Sequence, residues 1–527
     1  MNKSESPAEK ILSHYKLLAS LCGMAAVAAL PPYFCFPILF VVWAVFFKLL
    51  QRARSHKQAF AIGYWFGFGF FAVGFSWITQ ALAIDLPRLG WLIPPALVAG
   101  GLFFGFFAAF PALLCSFCRG IYGRIVAWAS WWCIFEWLRS FVLTGFPWNL
   151  MGSVLAFSDA GIQSASLVGT YGLSWAVILL TSLPAALFAE ENRRRAIVVN
   201  LIFLPLISLF IWGFGCWRLA YSGANESSNS GIRIVQPAIA QQLKWKEESL
   251  WQNLQQYIDL SQQNLPQDIK LVVWGETANP FPLAFERGQA RRLAAAAPQS
   301  GYLITGSLDY DFDDESQKWQ PINGMLAIDD AGNVAARYAK SHLVPFGEYI
   351  PLRALLPAGL RTVTNFIADF AAGSGPQTIR LPNIPPFGVL ICYEIIFPAE
   401  IVDAADKPQW LINLTNDGWY GLSSGPYQHL VATRLRAVEE GLTIVRAANS
   451  GISALINRYG QIEQNLALRQ RGYIDFYLPK EPAIDTFYGR FHNLIPLLLS
   501  LSALLIVACS QKLIGDFINN RRVMLKK

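Results

Sequence analysis

Long apolar runs separated by short basic clusters fill the first 217 residues; short β-branched runs broken by polar turns follow, and one further apolar run begins at Leu494. A bilayer core takes roughly 20 consecutive apolar residues per helix. Eight stretches reach or approach that length: Leu17–Leu30, Phe36–Leu50, Ala59–Gln80, Trp91–Phe117, Ile125–Leu143, Leu167–Ala189, Ala196–Trp217 and Leu494–Ser510. The second and the last are short, as tilted or partly interfacial segments are. The pattern predicts a polytopic α-helical membrane domain of about eight transmembrane helices.

Between the seventh and eighth runs the period changes. Ile232–Pro237 (IRIVQP) reads as a β-branched strand, and Leu250, Leu254 and Ile258 recur at helical spacing in a helix over Glu247–Gln263. Further strands are predicted at Lys270–Trp274, Tyr302–Leu308, Phe387–Glu394, Gln409–Asp417 and Gly472–Leu478. Gly324–Tyr338 reads as two strands around the turn Asp330-Ala331-Gly332-Asn333, and Gly441–Ile456 is a further run that completes a two-sheet core. Strands alternating with helices predict an α/β domain, and their number requires two sheets.

Composition supports a membrane protein: of 527 residues, 54% are hydrophobic and only 15% charged, too apolar for an ordinary soluble enzyme. The net charge of +7 sits in short clusters beside the apolar runs and forms no single stripe, which argues against nucleic acid as a partner. The basic clusters have a topological pattern. Lys3, Lys10 and Lys16 precede the first run; Lys48, Arg52, Arg54 and Lys57 follow the second, Arg119 and Arg124 the fourth, Arg193, Arg194 and Arg195 the sixth, and Lys512, Arg521, Arg522, Lys526 and Lys527 the last. Basic loops stay cytoplasmic, so the region between runs seven and eight faces the other side. The expected division is residues 1–217 as a membrane domain with seven helices, 218–492 as an extracytoplasmic domain, and 493–527 as a C-terminal helix with a cytoplasmic tail. Ala26-Val27-Ala28 gives the first run a leader-like feature, but the second run follows almost at once, which favours a retained span.

Seven of the eight cysteines lie in or beside the apolar runs, and only Cys392 lies in the large polar region. No internal disulfide is therefore expected there. Cys115 and Cys118 have CxxC spacing, yet no second pair or nearby His completes a zinc site, so helix packing is the expected role. Glu136 and Arg139 stand three residues apart in the fifth run, where charges pair or mark function; a structural ion pair is expected. No Gly-rich phosphate loop or metal cluster occurs, and no metal or nucleotide cofactor is expected.

The ends of three strands carry chemistry. Glu276 follows LVVWG, Lys340 follows the predicted hairpin in RYAKSHLVPFGEY, and Cys392 ends FGVLICYE. A carboxylate can take a thiol proton, the thiolate can attack a carbonyl, and an ammonium can stabilise the oxyanion. Taken singly, each has an ordinary reading: a small core cysteine, a solvated lysine, a surface glutamate. His342 and His429 offer a rival base in a Cys-His arrangement, and spacing alone does not choose between them.

In combination, Glu276 in WGET, Lys340 in YAKSHLVPFGEY and Cys392 in ICYE resemble the Glu-Lys-Cys constellation of the nitrilase superfamily, and RAANSGISALINRYG from Arg446 resembles its strand-turn-strand after the active site. With Phe135–Asn149 (FEWLRSFVLTGFPWN) and Val168–Val177 (VGTYGLSWAV), the chain resembles the membrane-bound branch, the apolipoprotein N-acyltransferases. The resemblance implies an αββα sandwich for the large polar region and a ping-pong acyl transfer in a bacterial inner membrane. A phospholipid donates the acyl chain to a Cys392 thioester, and the α-amine of a lipoprotein's diacylglyceryl-cysteine accepts it, with the catalytic domain periplasmic. It further implies Glu276 as general base, Lys340 as oxyanion stabiliser with the backbone N–H of Tyr393, and Cys392 as nucleophile. Glu348 is implied as a second glutamate beside the lysine, and Trp245, Tyr393, Glu394 and Trp419 as residues near the acyl chain or the site; core packing is the competing reading for the two tryptophans.

The long apolar connection Val344–Gly375 reads as a lid, with Ile350, Leu352, Leu355, Leu356 and Leu360 expected to dip toward lipid. Two other classes compete. A membrane-anchored nitrilase-like amidase or hydrolase would use water as acceptor. A transporter or receptor would need a polar pathway through the spans, of which only Glu136 and Arg139 give a trace.

Overall fold

The computed structural model describes residues 14–189, 192–221, 227–283, 288–313, 317–353 and 369–524. Two compact units divide the chain. One comprises Met1–Thr79, Trp91–Arg218 and Arg490–Lys527; the other comprises Gln80–Gly90 and Leu219–Gly489.

The first unit is helical. Among the described residues, five helices that lie wholly or mostly in it are long and apolar enough to cross a membrane: His56–Ala83, Leu86–Cys115, Ala165–Phe188, Arg193–Ala220 and Leu494–Leu513. The other three expected runs form Tyr15–Ala29, Ile38–Arg52 and Ile121–Leu138, which are shorter or more polar. Packing is aromatic inside: Trp43, Phe46, Phe66, Trp128 and Trp132 meet ring to ring, and the buried Trp43 Nε1 donates to Thr181 Oγ1 at 2.9 Å. Glycine permits the closest approach, because a Cβ on Gly69 would lie 2.1 Å from the carbonyl oxygen of Ser20. Glu136 and Arg139 are both buried and tie down the chain that follows their helix. Glu136 Oε1 accepts from Trp132 Nε1 and from the Met151 N–H, each at 2.8 Å, while Arg139 donates to the carbonyls of Phe146 and Trp148. Elsewhere apolar side chains face outward: Leu209 is 71% exposed and Ile506 69%. Such surfaces suit lipid, not water.

The second unit holds two six-stranded sheets. The first is built from β1 (Ser227–Gln236), β2 (Ile269–Val273), β3 (Tyr302–Asp313), β4 (Lys318–Asp329) and β5 (Val334–Ala339). The second uses β6 (Thr378–Leu381), β7 (Ile384–Ile391), β8 (Trp410–Thr415), β9 (Thr443–Ala448), β10 (Ser453–Ile456) and β11 (Ile462–Leu466); the chain then returns as β12 (Gly472–Pro479) beside β1 in the first sheet. The centres of both sheets are parallel, β1-β2-β3 and β7-β8-β9, and antiparallel strands flank them. Alternation decides which side chains meet. Ile232, Ile234, Leu271 and Val273 face Phe387, Val389, Ile391, Ile412 and Leu414 in one core between the sheets. Val235, Val272, Trp274 and Leu303 point the other way, onto helices Leu250–Gln262 and Gln289–Ala294. Helix Gly425–Glu440 packs on β9. The result is the expected αββα sandwich.

Of the expected lid residues, Leu355, Leu356 and Leu360 lie outside the described residues. Ile350 does not dip outward: it is buried, and its N–H donates to Asp369 Oδ1 at 3.1 Å. Leu352, by contrast, is exposed.

Candidate active site

The parallel strands end at one edge of the sandwich, where an α/β fold places its chemistry. Glu276 sits in the turn after β2, buried, with its N–H donating to the carbonyl of Thr415 at the end of β8. Gly306 in β3 makes that turn possible. A Cβ there would lie 2.5 Å from the Thr277 nitrogen and 2.6 Å from the Glu276 Cα. Lys340, also buried, leaves β5 with its N–H bonded to the Asn323 carbonyl of β4. Its Nζ lies 2.9 Å from Glu348 Oε1 and 3.7 Å from Glu276 Oε1. Asn323 Nδ2 bridges the two glutamates, 2.8 Å from an oxygen of each. Glu348 is held in turn by the Val344 N–H on its other oxygen.

Cys392 follows β7 as the first residue of a 3-10 turn, Cys392–Ile396, and its φ of 51° puts a non-glycine residue in the left-handed region. Such backbone persists only where its surroundings over-determine it, and it clusters at functional sites. Here the surroundings are explicit. Glu394 Oε2 accepts from the Ile391 N–H, and Oε1 accepts from Tyr338 Oη, from the Ser341 N–H and hydroxyl, and from the His342 N–H. One carboxylate thus ties the turn bearing Cys392 to the segment bearing Lys340.

Charge follows from burial. Burial, reinforced by Glu276, pushes the Cys392 thiol up to about 12, and the Lys340 ammonium works in the opposite direction. The resting sulfur is therefore a thiol that needs a base. Burial acts to lower Lys340, but Glu348 and Glu276 outweigh it and hold the amine above its ordinary value, as an ammonium. Burial also raises Glu394, against its several hydrogen bonds.

Sequence models of two families match the chain, that of the apolipoprotein N-acyltransferase N-terminal domain over residues 22–183 and that of carbon-nitrogen hydrolases over 232–475. An apolipoprotein N-acyltransferase of Rhodopseudomonas palustris is 35% identical over 494 residues, 91% of this chain and 92% of its own. The chain belongs to the apolipoprotein N-acyltransferase family. The enzyme of that name from Rickettsia prowazekii is 33% identical over 95% of this chain and 99% of its own, and that from Brucella suis 35% identical over 93% and 94%. Membership makes the chain an acyltransferase with a nitrilase-like domain.

In this family member the two histidines are engaged elsewhere. His342 stacks on Phe397 with ring centroids 3.6 Å apart, its Nδ1 3.7 Å from Glu400. His429 Nε2 lies 3.1 Å from the carbonyl oxygen of Cys392, and Nδ1 lies 2.8 Å from Asp417 Oδ1. Burial and then Arg446 lower that imidazole, whereas Asp417, despite its own burial, is held well below the carboxylate range by Arg446 and His429. Tyr393 is buried against Phe397, Trp419 is half-buried in a 3-10 turn, and Trp245 is 41% exposed. Asn323, Asp417 and Tyr420, whose Oη lies 3.9 Å from Cys392 Sγ, carry no strong sequence signal. A cavity of about 350 Å³ is lined by Glu394, Ser341, His342 and Glu400 but by none of Glu276, Lys340 and Cys392.

Proposed function

We propose that this acyltransferase moves an acyl chain from a membrane phospholipid, through a thioester on Cys392, to the α-amine of the N-terminal diacylglyceryl-cysteine of lipoproteins. Glu276 takes the Sγ proton, and the thiolate attacks the ester carbonyl. Lys340 Nζ and the backbone N–H of Tyr393 receive the developing oxyanion. Collapse expels the lysophospholipid alkoxide, which recovers the proton from Glu276. The acceptor amine then attacks the thioester, Glu276 takes an amine proton, and the sulfur leaves and is reprotonated. Glu348 holds Lys340 more closely than Glu276 does, at 2.9 Å against 3.7 Å, which leaves Glu276 the less committed of the two carboxylates.

The observation that carries this reading is a cysteine in left-handed backbone whose turn Glu394 ties to the segment bearing Lys340, itself paired with the buried Glu276 at 3.7 Å. The lipid substrates draw support from apolar side chains exposed beside site residues: Trp245, Phe346 two residues before Glu348, and Leu422 two residues after Tyr420. The basic clusters support a bacterial inner-membrane location with the sandwich on the periplasmic side. The test is intact mass spectrometry of the purified protein after incubation with phospholipid, then with a diacylated lipopeptide. One acyl increment, absent in Cys392→Ser and discharged onto the peptide amine, is the expected result. Discharge only to water would make the enzyme a hydrolase, and no increment on folded protein would remove Cys392 from the nucleophile role.

A further inference from the structure

A second lysine belongs to this site. Lys244 closes a short helix, Gln241–Lys244, whose end is held by Asn253 Nδ2 on the Leu243 carbonyl at 3.1 Å. Its side chain is 5% exposed, and Nζ donates to the carbonyl of Glu276 at 2.9 Å and to Thr277 Oγ1 at 2.8 Å. These two acceptors are the turn that carries Glu276, and Thr277 has a φ of 47°, unusual for a β-branched residue. A buried ammonium is costly. Satisfying one carbonyl and one hydroxyl does not require a full charge, because an amide donor would do the same. What the charge adds is a field at the Glu276 carboxylate, whose own carbonyl Nζ holds, and at the Cys392 thiol, whose sulfur is hydrogen-bonded by the Thr415 side chain while the Thr415 carbonyl takes the Glu276 N–H. The amine also lies 5.6 Å from the centroid of the exposed Trp245 ring, which links the buried site to its rim.

We propose that Lys244 is a further positioning residue of the acyl transfer: it clamps the Glu276 turn and holds a second positive charge beside the Cys392 thiol. The role rests on the proposed acyl-transfer reading, but its test does not. Two titratable groups act on Lys244, the Glu276 carboxylate and the Cys392 thiol; Lys340 and Asp417 act on the thiol in turn, and Glu348 acts on Lys340. Burial pushes Lys244 down to about 8, with Glu276 and Cys392 opposing, so its charge is present at pH 7 and largely gone above pH 9.

The experiment is alkylation of Cys392 by iodoacetamide in the full chain, followed by peptide mass spectrometry, with no acyl donor present. Lys244→Met should slow alkylation at pH 7 by about tenfold, the equivalent of one pKa unit. Lys244→Arg should stay within about threefold of the parent, and the Lys244→Met difference should close above pH 9 as the parent loses the same charge. Equal rates at pH 7 in folded Lys244→Met overturn the proposal, and so does a difference that persists unchanged above pH 9. If Lys244→Met does not accumulate folded, Thr277→Val decides: loss of one clamp contact should slow alkylation by about threefold, and an unchanged rate overturns it. A missing acyl increment with the expected alkylation profile would refute acyl transfer and leave Lys244 in place.

Discussion

Glu394 is the residue on which the Cys392 turn depends most. Four donors converge on its Oε1 and the Ile391 N–H on its Oε2, so both oxygens must accept. Glu394→Gln puts an amide NH2 against one of these sets. The Cys392 turn should shift by a fraction of an ångström, and acyl-enzyme formation, followed by mass spectrometry, should fall by about 100-fold. Retention of the parental rate would detach Glu394 from the site. Lys244 makes a prediction with a sign. Its ordinary value is 10.5 and its folded value about 8. Below pH 8 both states carry the proton, and the burial cost is fully present. Between pH 8 and 10.5 the folded state has released it and the unfolded state has not, so stability rises with pH across that window. Relative to Lys244→Met, the parent should gain up to about 3 kcal/mol from pH 7.5 to 10.5; melting curves of both proteins that run parallel across that range would contradict it. Residue by residue, the sequence spoke through motifs. WGET, YAKSHLVPFGEY and ICYE singled out Glu276, Lys340, Glu348 and Cys392. Lys244 and Asn323 carry no such signal, because a lone Lys or a mid-strand Asn reads as surface until burial is known.

At the scale of elements, the site depends on two strands approaching without side chains between them. Gly306 of β3 lies under the Glu276 turn with no room for a methyl group. Gly306→Ala should displace the turn at a cost of about 1–3 kcal/mol and lower the acylation rate much more than it lowers the melting temperature. A variant that loses stability but acylates at the parental rate would show that the turn tolerates the shift. Most strands were readable from alternation or from continuous β-branched runs, including the hairpin of β4 and β5 around Asp330-Ala331-Gly332-Asn333. Helix Gly425–Glu440 was not, and the cause is visible in its burial. His429, Thr433, Arg434 and Arg436 all point inward with the apolar residues, so the usual division into apolar and polar faces is erased. The edge strands β6 and β11 escaped for a different reason: β6 is four residues long, and Ile462–Asn465 of β11 are exposed. Short or polar edges carry little periodic signal.

For the whole molecule, hydropathy gave the class of each region, but helix length and burial refine the spans. Ile121–Leu138 holds Glu136 and ends at Arg139, both buried in polar contacts, so a segment that interior packing can stabilise fails a purely compositional test. The helices that pass it do so on composition whatever their cover: 67% of the apolar window of Ala165–Phe188 is buried, but only 11% of that of Arg193–Ala220 and 22% of that of Leu494–Leu513. Orientation rests on the basic clusters alone and is directly measurable. In a background with Cys35, Cys216 and Cys509, the exposed native cysteines, changed to Ser, the exposed Leu422→Cys reports on the sandwich and Arg194→Cys on the loop after the sixth apolar run. In spheroplasts of a Gram-negative host, a membrane-impermeant maleimide should label Leu422→Cys in intact cells and Arg194→Cys only after lysis. The reverse pattern would put the sandwich in the cytoplasm and separate it from any acceptor exported across the membrane. Labelling of both positions in intact spheroplasts would mean that the sixth and seventh runs do not enclose a cytoplasmic loop, and the count of spans would have to fall with the orientation.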